Sequence, residues 1–404
     1  FFSRSTKPTM VFRFFSFLAA VAATWTHHPG INCYAGNGGT PVDPHDIPLQ
    51  EKTVASCQAA CESTANCVAI VREVDGQQTS NCWLRSSVQL SQCQASTGVY
   101  DTYTFSSTPA RRGSFFVLGD WGYDSAVHGN IKPGCQAAIA NAMKAKQEEL
   151  GDVKFVLNVG DSFYPAGTGF PSSDSQWKTK WLDVYGQNLT DLPWFSVYGN
   201  HDYQSQDQCA CSADKKGCSQ LNANVSGFTM PDLNYFDDRF LSELNVEVVA
   251  LDMNAVDYLD GNYFCATSGC ESTCTTLLNN RRDEGIALFA KRNQASTAKN
   301  LLVFSHYPTD YLKRANYTAL VAGLKDNSKH NITYFGGHRH NVDQSSMQEP
   351  LAPNVNWLVG GGGGWGCDGW SDQGHVEQGF VVGEVNHDFT INTYSVLVPA
   401  DVCC

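Results

Sequence analysis

Short apolar runs alternate with longer amphipathic stretches from residue 113 onward. Five of these runs are rich in β-branched and aromatic residues and are bounded by Gly, Asn or Asp, as buried strands are: 115–118, 155–159, 246–251, 301–304 and 357–359. Three stretches between the runs have the length and pattern of helices: 134–149, 174–186 and 284–299. Strands that alternate with helices predict an α/β domain of about 290 residues.

The first residues have a different pattern. Arg13 precedes the apolar run 14–23, which contains the small-residue triplet Ala20-Val21-Ala22 and is followed by polar residues. This arrangement resembles a secretory signal peptide. A membrane anchor is the alternative, but the run is well short of the ~20 residues that span a bilayer. We therefore expect residues 1–22 to hold upstream residues and a signal peptide.

Cysteine is concentrated in two parts of the chain. Six of the 16 cysteines fall early, at positions 33, 57, 61, 67, 82 and 93. Cys57 and Cys61 stand four residues apart on one face of a predicted short helix, and Cys82 opens a predicted strand. The six allow 15 pairings, and spacing alone does not choose among them. A polar Ser/Thr/Pro/Arg segment at 104–112 is typical of a linker.

Six further cysteines lie at positions 209, 211, 218, 265, 270 and 274. In a secreted chain such thiols oxidise, so disulfides that close an insertion are favoured over zinc ligands, for these six and for the early six alike.

The composition restricts the cellular compartment and the classes of binding partner that are expected for this chain. The formal net charge is −13 and the sequence pI is about 5.2, which argues against nucleic acid and anionic membrane surfaces as partners. Sixteen cysteines favour an oxidising compartment, as do four sequons, at Asn188, Asn224, Asn316 and Asn331. We expect a secreted, extracellular or lysosome- or vacuole-like location without stable membrane insertion.

Polar clusters stand at the ends of five strand-like runs. They are Gly119-Asp120-Trp121-Gly122, 160–164 (GDSFY), Gly199-Asn200-His201-Asp202, Ser305-His306-Tyr307-Pro308 and Gly337-His338-Arg339-His340. In open α/β sheets, ligands bind in the crevice outside the carboxyl ends of the strands. Five segments that are distant in sequence are therefore expected to converge there.

The residue types in these clusters point to metal. Asp, Tyr, Asn and His offer oxygen and nitrogen donors without a thiolate, which suits Fe, Mn or Zn. Seven such residues exceed the needs of one ion, and two ions that share a carboxylate are a known device for attack on phosphorus.

The five motifs, in this order, resemble those of the purple acid phosphatases of the metallophosphoesterase superfamily. The family pattern is GDxG, GDxxY, GNHD/E, xxxH and GHxH, and each motif occurs in the chain. The resemblance covers residues 113–400 and follows the compact mammalian-type pattern. It implies a β-sandwich flanked by helices, in α/β/β/α layers.

The same resemblance implies roles for particular residues. A ferric site would hold Asp120, Tyr164, His340 and Asp161, and a site for a second, divalent ion (Fe, Zn or Mn) would hold Asn200, His306, His338 and the same Asp161. His201 would act on the leaving group, and Asp202 would orient or charge His201. Arg339 either adds positive charge at the mouth of the site or points to solvent, and it receives no catalytic role.

The implied activity is hydrolysis of phosphate monoesters at acidic pH by in-line attack of metal-bound hydroxide. One alternative is a relative that acts on phosphodiesters or nucleotides. A non-enzymatic alternative is an adhesive protein that works through its N-terminal module.

That module, residues 33–103, resembles a PAN/apple domain, a small disulfide-rich α+β fold. The resemblance implies the pairs Cys33–Cys93, Cys57–Cys82 and Cys61–Cys67. Such modules bind proteins or carbohydrates, and a disulfide-stapled cap without a ligand is the alternative.

Overall fold

The computed structural model describes residues 24–74, 76–96, 98–106, 111–122, 134–169, 174–204, 208–261, 263–343, 349–363 and 377–403. The chain divides into two units, 1–110 and 111–404, and each is described by itself. The predicted signal peptide lies outside the described residues. No helix in the described part of the chain is long and apolar enough to cross a membrane.

The N-terminal unit is a sheet with one helix. Its described strands are β1 (Thr24–His28), β2 (Ile31–Asn32), β3 (Tyr34–Ala35), β4 (Gly38–Pro41), β5 (Leu49–Lys52), β6 (Ala69–Glu73), β7 (Ser80–Val88), β8 (Gln94–Ala95) and β9 (Tyr100–Ser106). The order in the main sheet is β1-β9-β6-β7-β4-β3, with β5 also paired to β7, and β2 pairs with β8.

The helix of this unit, α1 (Val54–Glu62), begins where Thr53 caps it. The Thr53 hydroxyl accepts a hydrogen bond from the backbone N–H of Ser56, which satisfies one of the donors left open in the first turn. The predicted cysteine face is present, because Cys57 and Cys61 are both buried. A small core that cannot bury much surface gains stability from such cross-links.

The three disulfides that the resemblance implies are confirmed: Cys33–Cys93, Cys57–Cys82 and Cys61–Cys67. The predicted linker begins too early, because β9 continues to Ser106 and pairs with β1 up to Thr24. Residues 107–110 of the linker lie outside the described residues.

The second unit contains two sheets and flanking helices. Its described strands are β10 (Gly113–Leu118), β11 (Val153–Asn158), β12 (Trp194–Ser196), β13 (Phe228–Thr229), β14 (Tyr235–Asp237), β15 (Val246–Ala250), β16 (Asn300–Phe304), β17 (Asn331–Gly336), β18 (Val342–Asp343), β19 (Val355–Val359), β20 (Gly379–Val385) and β21 (Ile391–Leu397). Its described α-helices are α2 (Cys135–Leu150), α3 (Asp183–Tyr185), α4 (Gln187–Thr190), α5 (Leu241–Leu244), α6 (Glu271–Ala295), α7 (Thr309–Arg314), α8 (Thr318–Lys325) and α9 (Ala400–Cys403). A π-helical segment, Trp177–Leu182, precedes α3.

The first sheet of this unit has the strand order β13-β12-β11-β10-β20-β21, and the second has the order β14-β15-β16-β17-β19-β18. Strands β10, β11 and β12 run parallel, and so do β15, β16, β17 and β19. Each sheet therefore has several carboxyl ends along one edge.

The predicted α/β/β/α layering is confirmed by the way side chains alternate along β10. Phe115 and Val117 pack between the two sheets, against residues such as Phe304 of the second sheet. Phe116 and Leu118 point the other way, toward α2. The outer face of the second sheet is covered by α6, α7 and α8. Period-two alternation of apolar residues on both faces requires such cover on both sides.

The predicted helix at 284–299 is longer than expected, since α6 begins at Glu271. Its first turns are rich in Ser, Thr and Asn, which are weak helix formers, and tertiary contacts hold them. Cys274 is bonded to Cys265, and the buried Arg281 guanidinium donates to the carbonyls of Cys209 and Ser212.

The cluster of six later cysteines forms disulfides, as predicted: Cys209–Cys218, Cys211–Cys270 and Cys265–Cys274. A seventh disulfide, Cys135–Cys403, joins α2 to α9. All cysteines in the described part of the chain are therefore oxidised, which excludes zinc binding by them.

Candidate metal centre

The polar clusters meet at the carboxyl edges of the two sheets. Asp120 follows β10, Asp161 follows β11 and Asn200 follows β12, while His306 and His338 follow β16 and β17 of the other sheet. Donor atoms of Asp120, Asp161 and His306 lie within 4.8 Å of one another. The convergence predicted from strand ends is thus present.

One side of the centre is built around a phenol. The Tyr164 hydroxyl lies 3.1 Å from Asp120 Oδ1 and 3.0 Å from Asp161 Oδ2. His340 Nε2 lies 3.8 Å from the same Asp120 oxygen. All four side chains are buried, so two carboxylates, a phenol and an imidazole share a site shielded from water.

On the other side, three atoms face one another. Asn200 Oδ1 lies 3.0 Å from His306 Nε2 and 3.0 Å from His338 Nδ1, and the two ring nitrogens are 3.3 Å apart. Asp161 Oδ2 lies 3.3 Å from His306 Nε2, so this carboxylate belongs to both sides.

The hydrogen-bond partners of His306 and His338 on the side away from Asn200 show which ring nitrogen of each imidazole carries the proton. His306 Nδ1 is 3.0 Å from the carbonyl oxygen of Val159, and a carbonyl can only accept, so Nδ1 carries the proton. His338 Nε2 is 2.6 Å from the Asp260 carboxylate, so Nε2 carries the proton there. In the neutral rings, His306 Nε2 and His338 Nδ1 therefore present lone pairs to each other and to Asn200 Oδ1. Three lone pairs at this distance repel unless a proton or a metal ion lies among them.

The pKa values of the acidic groups also reflect the charge that is buried at this centre. Burial raises the pKa of Asp120 well above its ordinary value, and the neighbouring charge of Asp161 adds to this effect. Burial and the same two carboxylates also raise the pKa of the Tyr164 phenol. Burial acts to raise the pKa of Asp161 as well, but the charges of His306 and His201 outweigh burial and lower it.

The pKa values of the His306 and His338 imidazoles are shifted in opposite directions. Burial acts to lower the pKa of His306, but the charges of Asp161 and Asp120 outweigh it and raise this pKa to about 9. Burial lowers the pKa of His338 to about 4, although its hydrogen bond to Asp260 opposes this. Without a cation, a proton on His306 offsets the buried negative charge, and a metal ion would do so more fully. The donor set therefore fits a metal group.

The backbone is strained at three of the predicted ligands. Asp120, Asp161 and His338 have positive φ angles of 57°, 51° and 74°, a region that non-glycine residues occupy at a cost. The approach is close as well, because a Cβ added to Gly199 would lie 2.0 Å from Asp161 Oδ1. Such strain is found where surrounding structure holds functional groups in place.

His201 lies beside this centre. Its backbone N–H donates to Asp161 Oδ1 at 2.8 Å, and its ring is 4.6 Å from that of Tyr164, centroid to centroid. Its Nδ1 is 2.6 Å from the carbonyl oxygen of Pro165, so Nδ1 donates to that carbonyl.

The structure gives Asp202 a different role from the one predicted. The buried Asp202 carboxylate accepts hydrogen bonds from the backbone N–H groups of Ser162, Phe163 and Gly199 and from Gln220 Nε2. None of the hydrogen bonds in the described residues joins it to the His201 ring. Asp202 ties the two loops after β11 and β12 together, and the Pro165 carbonyl orients His201 instead.

Arg339 neither points to solvent nor lies exposed at the mouth of the site. It is buried, its Nη2 donates to Asp310 Oδ2, and its guanidinium packs over the Tyr311 ring at 5.1 Å.

Asp260 was missed by sequence reasoning. It ends the 3₁₀-helical segment Asn254–Asp260, which follows β15, a strand whose carboxyl end lies at the same edge as that of β16. The signal that would have found it is the strand-end rule, applied to the ten residues after the run 246–251. No glycine motif marks this segment, and so it was not selected.

A family model described as calcineurin-like phosphoesterase matches residues 113–342, more than half of the chain. The chain belongs to the calcineurin-like phosphoesterase family. The matched segment contains all of the converging residues described above.

Similar proteins with curated names include acid phosphatases. This phosphoesterase is 25% identical over 282 residues to purple acid phosphatase 3 of Arabidopsis thaliana, a match that covers 65% of this chain and 66% of the relative, just under two thirds of its length. It is 26% identical over 290 residues to tartrate-resistant acid phosphatase type 5 of Mus musculus, covering 69% of this chain and 80% of the relative.

Among solved structures, the phosphoesterase is similar to GAP50, the anchor in the inner membrane complex of Plasmodium. The TM-score is 0.47 at 18% identity, over 70% of this chain and 84% of that one.

Proposed function

We propose that this phosphoesterase is a binuclear-metal acid phosphatase of the purple acid phosphatase type that hydrolyses phosphate monoesters. The observation that carries the proposal is the convergence of three lone-pair atoms, Asn200 Oδ1, His306 Nε2 and His338 Nδ1, beside the Asp161 carboxylate. The Tyr164 hydroxyl between Asp120 and Asp161 supports the purple type.

Two sets of ligands follow from the two sides of the centre. Asp120, Tyr164, His340 and Asp161 would hold ferric iron, because carboxylates, a phenolate and an imidazole are hard or borderline donors. Asn200, His306, His338 and Asp161 would hold a divalent ion, either Fe, Zn or Mn. Asp161 is the shared ligand because its carboxylate faces both sides.

When bound, the two ions supply Lewis-acid activation of water and hold the phosphate oxygens. The protein's own contribution is a rigid frame. Asp202 fixes the loop after β11 to the loop after β12 through backbone N–H groups. Asp161 and His201 therefore keep one relative position, and a 2.8 Å hydrogen bond from the His201 N–H to Asp161 reinforces it.

His201 is proposed to act on the leaving group. Its Nδ1–H is held by the Pro165 carbonyl, which fixes the orientation of the ring. A protonated His201 can donate from Nε2 to the departing oxygen as a general acid.

We further propose that the chain is secreted or enters a lysosome- or vacuole-like compartment, with residues 1–22 as upstream residues and signal peptide. Seven disulfides support an oxidising environment. All four sequon asparagines are exposed, Asn331 at the start of β17 included, which supports glycosylation. The N-terminal unit is proposed as a PAN/apple module, supported by its three disulfides, with a protein or carbohydrate ligand.

The test is elemental analysis, a visible spectrum and turnover of the purified full chain. We expect two metal ions per chain, one of them ferric, a phenolate-to-iron charge-transfer band, and faster hydrolysis of p-nitrophenyl phosphate than of bis(p-nitrophenyl) phosphate, with an acidic optimum. Faster diester hydrolysis would support the diesterase alternative. A full complement of ferric iron without the charge-transfer band would refute the assignment to the purple acid phosphatase type. Folded protein that binds no metal would instead support the non-enzymatic alternative, an adhesive protein.

A further inference from the structure

We infer that Asp260 is a positioning residue that holds His338 in the tautomer and orientation needed to bind the divalent ion. Asp260 lies outside the five strand-end motifs and is not among the predicted ligands. The inference rests on the proposed function, because it assigns a role toward the second metal site.

The first support is the hydrogen bond between the two side chains. His338 Nε2 is 2.6 Å from Asp260 Oδ2, with the imidazole almost fully buried and the carboxylate side chain 20% exposed. If the proton were on Nδ1, the Nε2 lone pair would face a carboxylate at this distance, which is repulsive. The proton must therefore be on Nε2, and the Nδ1 lone pair is directed toward Asn200 Oδ1 and His306 Nε2.

The second support is that Asp260 is itself held. Its other oxygen, Oδ1, accepts a 2.7 Å hydrogen bond from the Tyr311 hydroxyl. Each carboxylate oxygen thus has one donor, and the two donors come from α7 and from the turn after β17. The carboxylate bridges these two segments and fixes the plane in which it meets the imidazole.

The third support is the packing around the imidazole. The Tyr311 ring meets the His338 ring edge-on, at 5.0 Å and 90°, and the Tyr307 ring lies against it at 4.4 Å. Two aromatic rings restrict where the imidazole can move, but neither selects a tautomer. Selection requires a hydrogen-bond acceptor at Nε2, and Asp260 supplies one that is charged.

The chemical consequence is a stronger metal ligand. A carboxylate that accepts the outer N–H of an imidazole raises the basicity of the inner nitrogen and fixes the ring, and loss of such a partner typically weakens metal binding about 10–100-fold. We therefore expect Asp260 to act on the divalent site selectively. Its side chain makes no described contact with Asp120, Tyr164 or His340.

The experiment measures Zn²⁺ binding to the full chain loaded with ferric iron and stripped of the second ion. The protein is dialysed against buffered Zn²⁺ concentrations, and bound zinc and iron are counted by elemental analysis. Asp260→Ala should weaken zinc binding about 10–100-fold while iron content and the thermal unfolding temperature stay near wild type. Asp260→Asn should have a smaller effect, because an amide oxygen can still accept from Nε2–H without the charge.

Tyr311→Phe tests the network, since it keeps the ring beside His338 and removes only the hydrogen bond to Asp260. It should weaken zinc binding less than Asp260→Ala, and it should add nothing when combined with Asp260→Ala. The matched control is Asp237→Ala in β14, which removes a carboxylate of similar exposure (15%) that pairs with Arg239 away from the centre. Its zinc affinity should equal that of wild type.

Wild-type zinc affinity in Asp260→Ala would overturn the inference. If that variant does not fold, wild-type affinity in both Asp260→Asn and Tyr311→Phe would do so. Equal weakening in Asp237→Ala would also overturn it, because the effect would then be a general one. A wild-type chain that takes up no zinc beside iron would instead refute the proposed function.

Discussion

Replacing Tyr164 by Phe removes one oxygen from the centre and leaves the ring in place. The hydroxyl lies 3.0 Å from Asp161 Oδ2 and 3.1 Å from Asp120 Oδ1. Since a hydroxyl has one proton, it donates one hydrogen bond at a time. The low pKa of Asp161 keeps that acceptor charged, and a hydrogen bond to a charged group contributes about 1.5–3 kcal/mol.

We therefore expect Tyr164→Phe to lower the free energy of unfolding of the second unit, measured after metal removal, by about 1.5–3 kcal/mol. Urea unfolding followed by tryptophan fluorescence measures this, because Trp121 and Trp194 are buried in the same unit. In metal-loaded protein the same change should abolish the charge-transfer band and reduce bound iron, while the fold remains.

Tyr235→Phe is the matched control. Tyr235 is also buried, but its single hydroxyl proton is shared between two backbone carbonyl oxygens, those of Ser196 and Thr229, at 3.0 and 3.1 Å. A neutral hydrogen bond contributes about 0.5–1.5 kcal/mol, so this variant should lose less stability and keep both colour and iron. If Tyr164→Phe retains the band and its iron, the phenol is no ligand and the reasoning fails. If the variant without metal is as stable as the wild type without metal, the hydrogen bond from the hydroxyl to the carboxylates does not stabilise the fold by the expected amount.

Three further predictions concern the division of roles. His201→Ala should lower kcat about 10²–10⁴-fold, with metal content unchanged in elemental analysis, because the His201 ring is held by the Pro165 carbonyl and not by the proposed ligands. Loss of metal would show that His201 is a ligand. Asp161→Ala should empty both metal sites, since its carboxylate faces both, and a variant that keeps one ion would contradict the shared ligand. Removal of residues 24–106 should leave kcat/KM for p-nitrophenyl phosphate largely intact, because every proposed ligand belongs to the second unit; a folded truncation without activity would mean that the first unit shapes the site.

Several features could be predicted from sequence because they depend on local rules. Apolar runs such as 115–118 and 301–304 became β10 and β16 with little change in their bounds. Polar residues after neighbouring strands of one sheet, Asp120 and Asp161 among them, were expected to meet because parallel strands end at a common edge. The residue types that could hold a metal ion were therefore recognisable from the sequence before the geometry was known.

Other features depended on contacts between distant segments. The first three turns of α6 have weak helix formers, and disulfides and Arg281 hold them in place. Asp202 stands beside His201 in sequence, yet its carboxylate accepts from backbone N–H groups of another loop, those of Ser162 and Phe163. Adjacent residues in a tight turn point in different directions, so sequence proximity did not predict partnership.

The amino-acid sequence by itself determined the alternation of strands and helices, the strand ends and the residue types that stand there, because strand periodicity and turn chemistry are local. Only the tertiary structure decided which nitrogen of each imidazole carries a proton, that Pro165 and not Asp202 orients His201, and that Asp260 supports His338 from a segment with no motif. These outcomes depend on hydrogen-bond partners supplied by other strands and loops, at distances of a few ångströms that no spacing along the chain encodes.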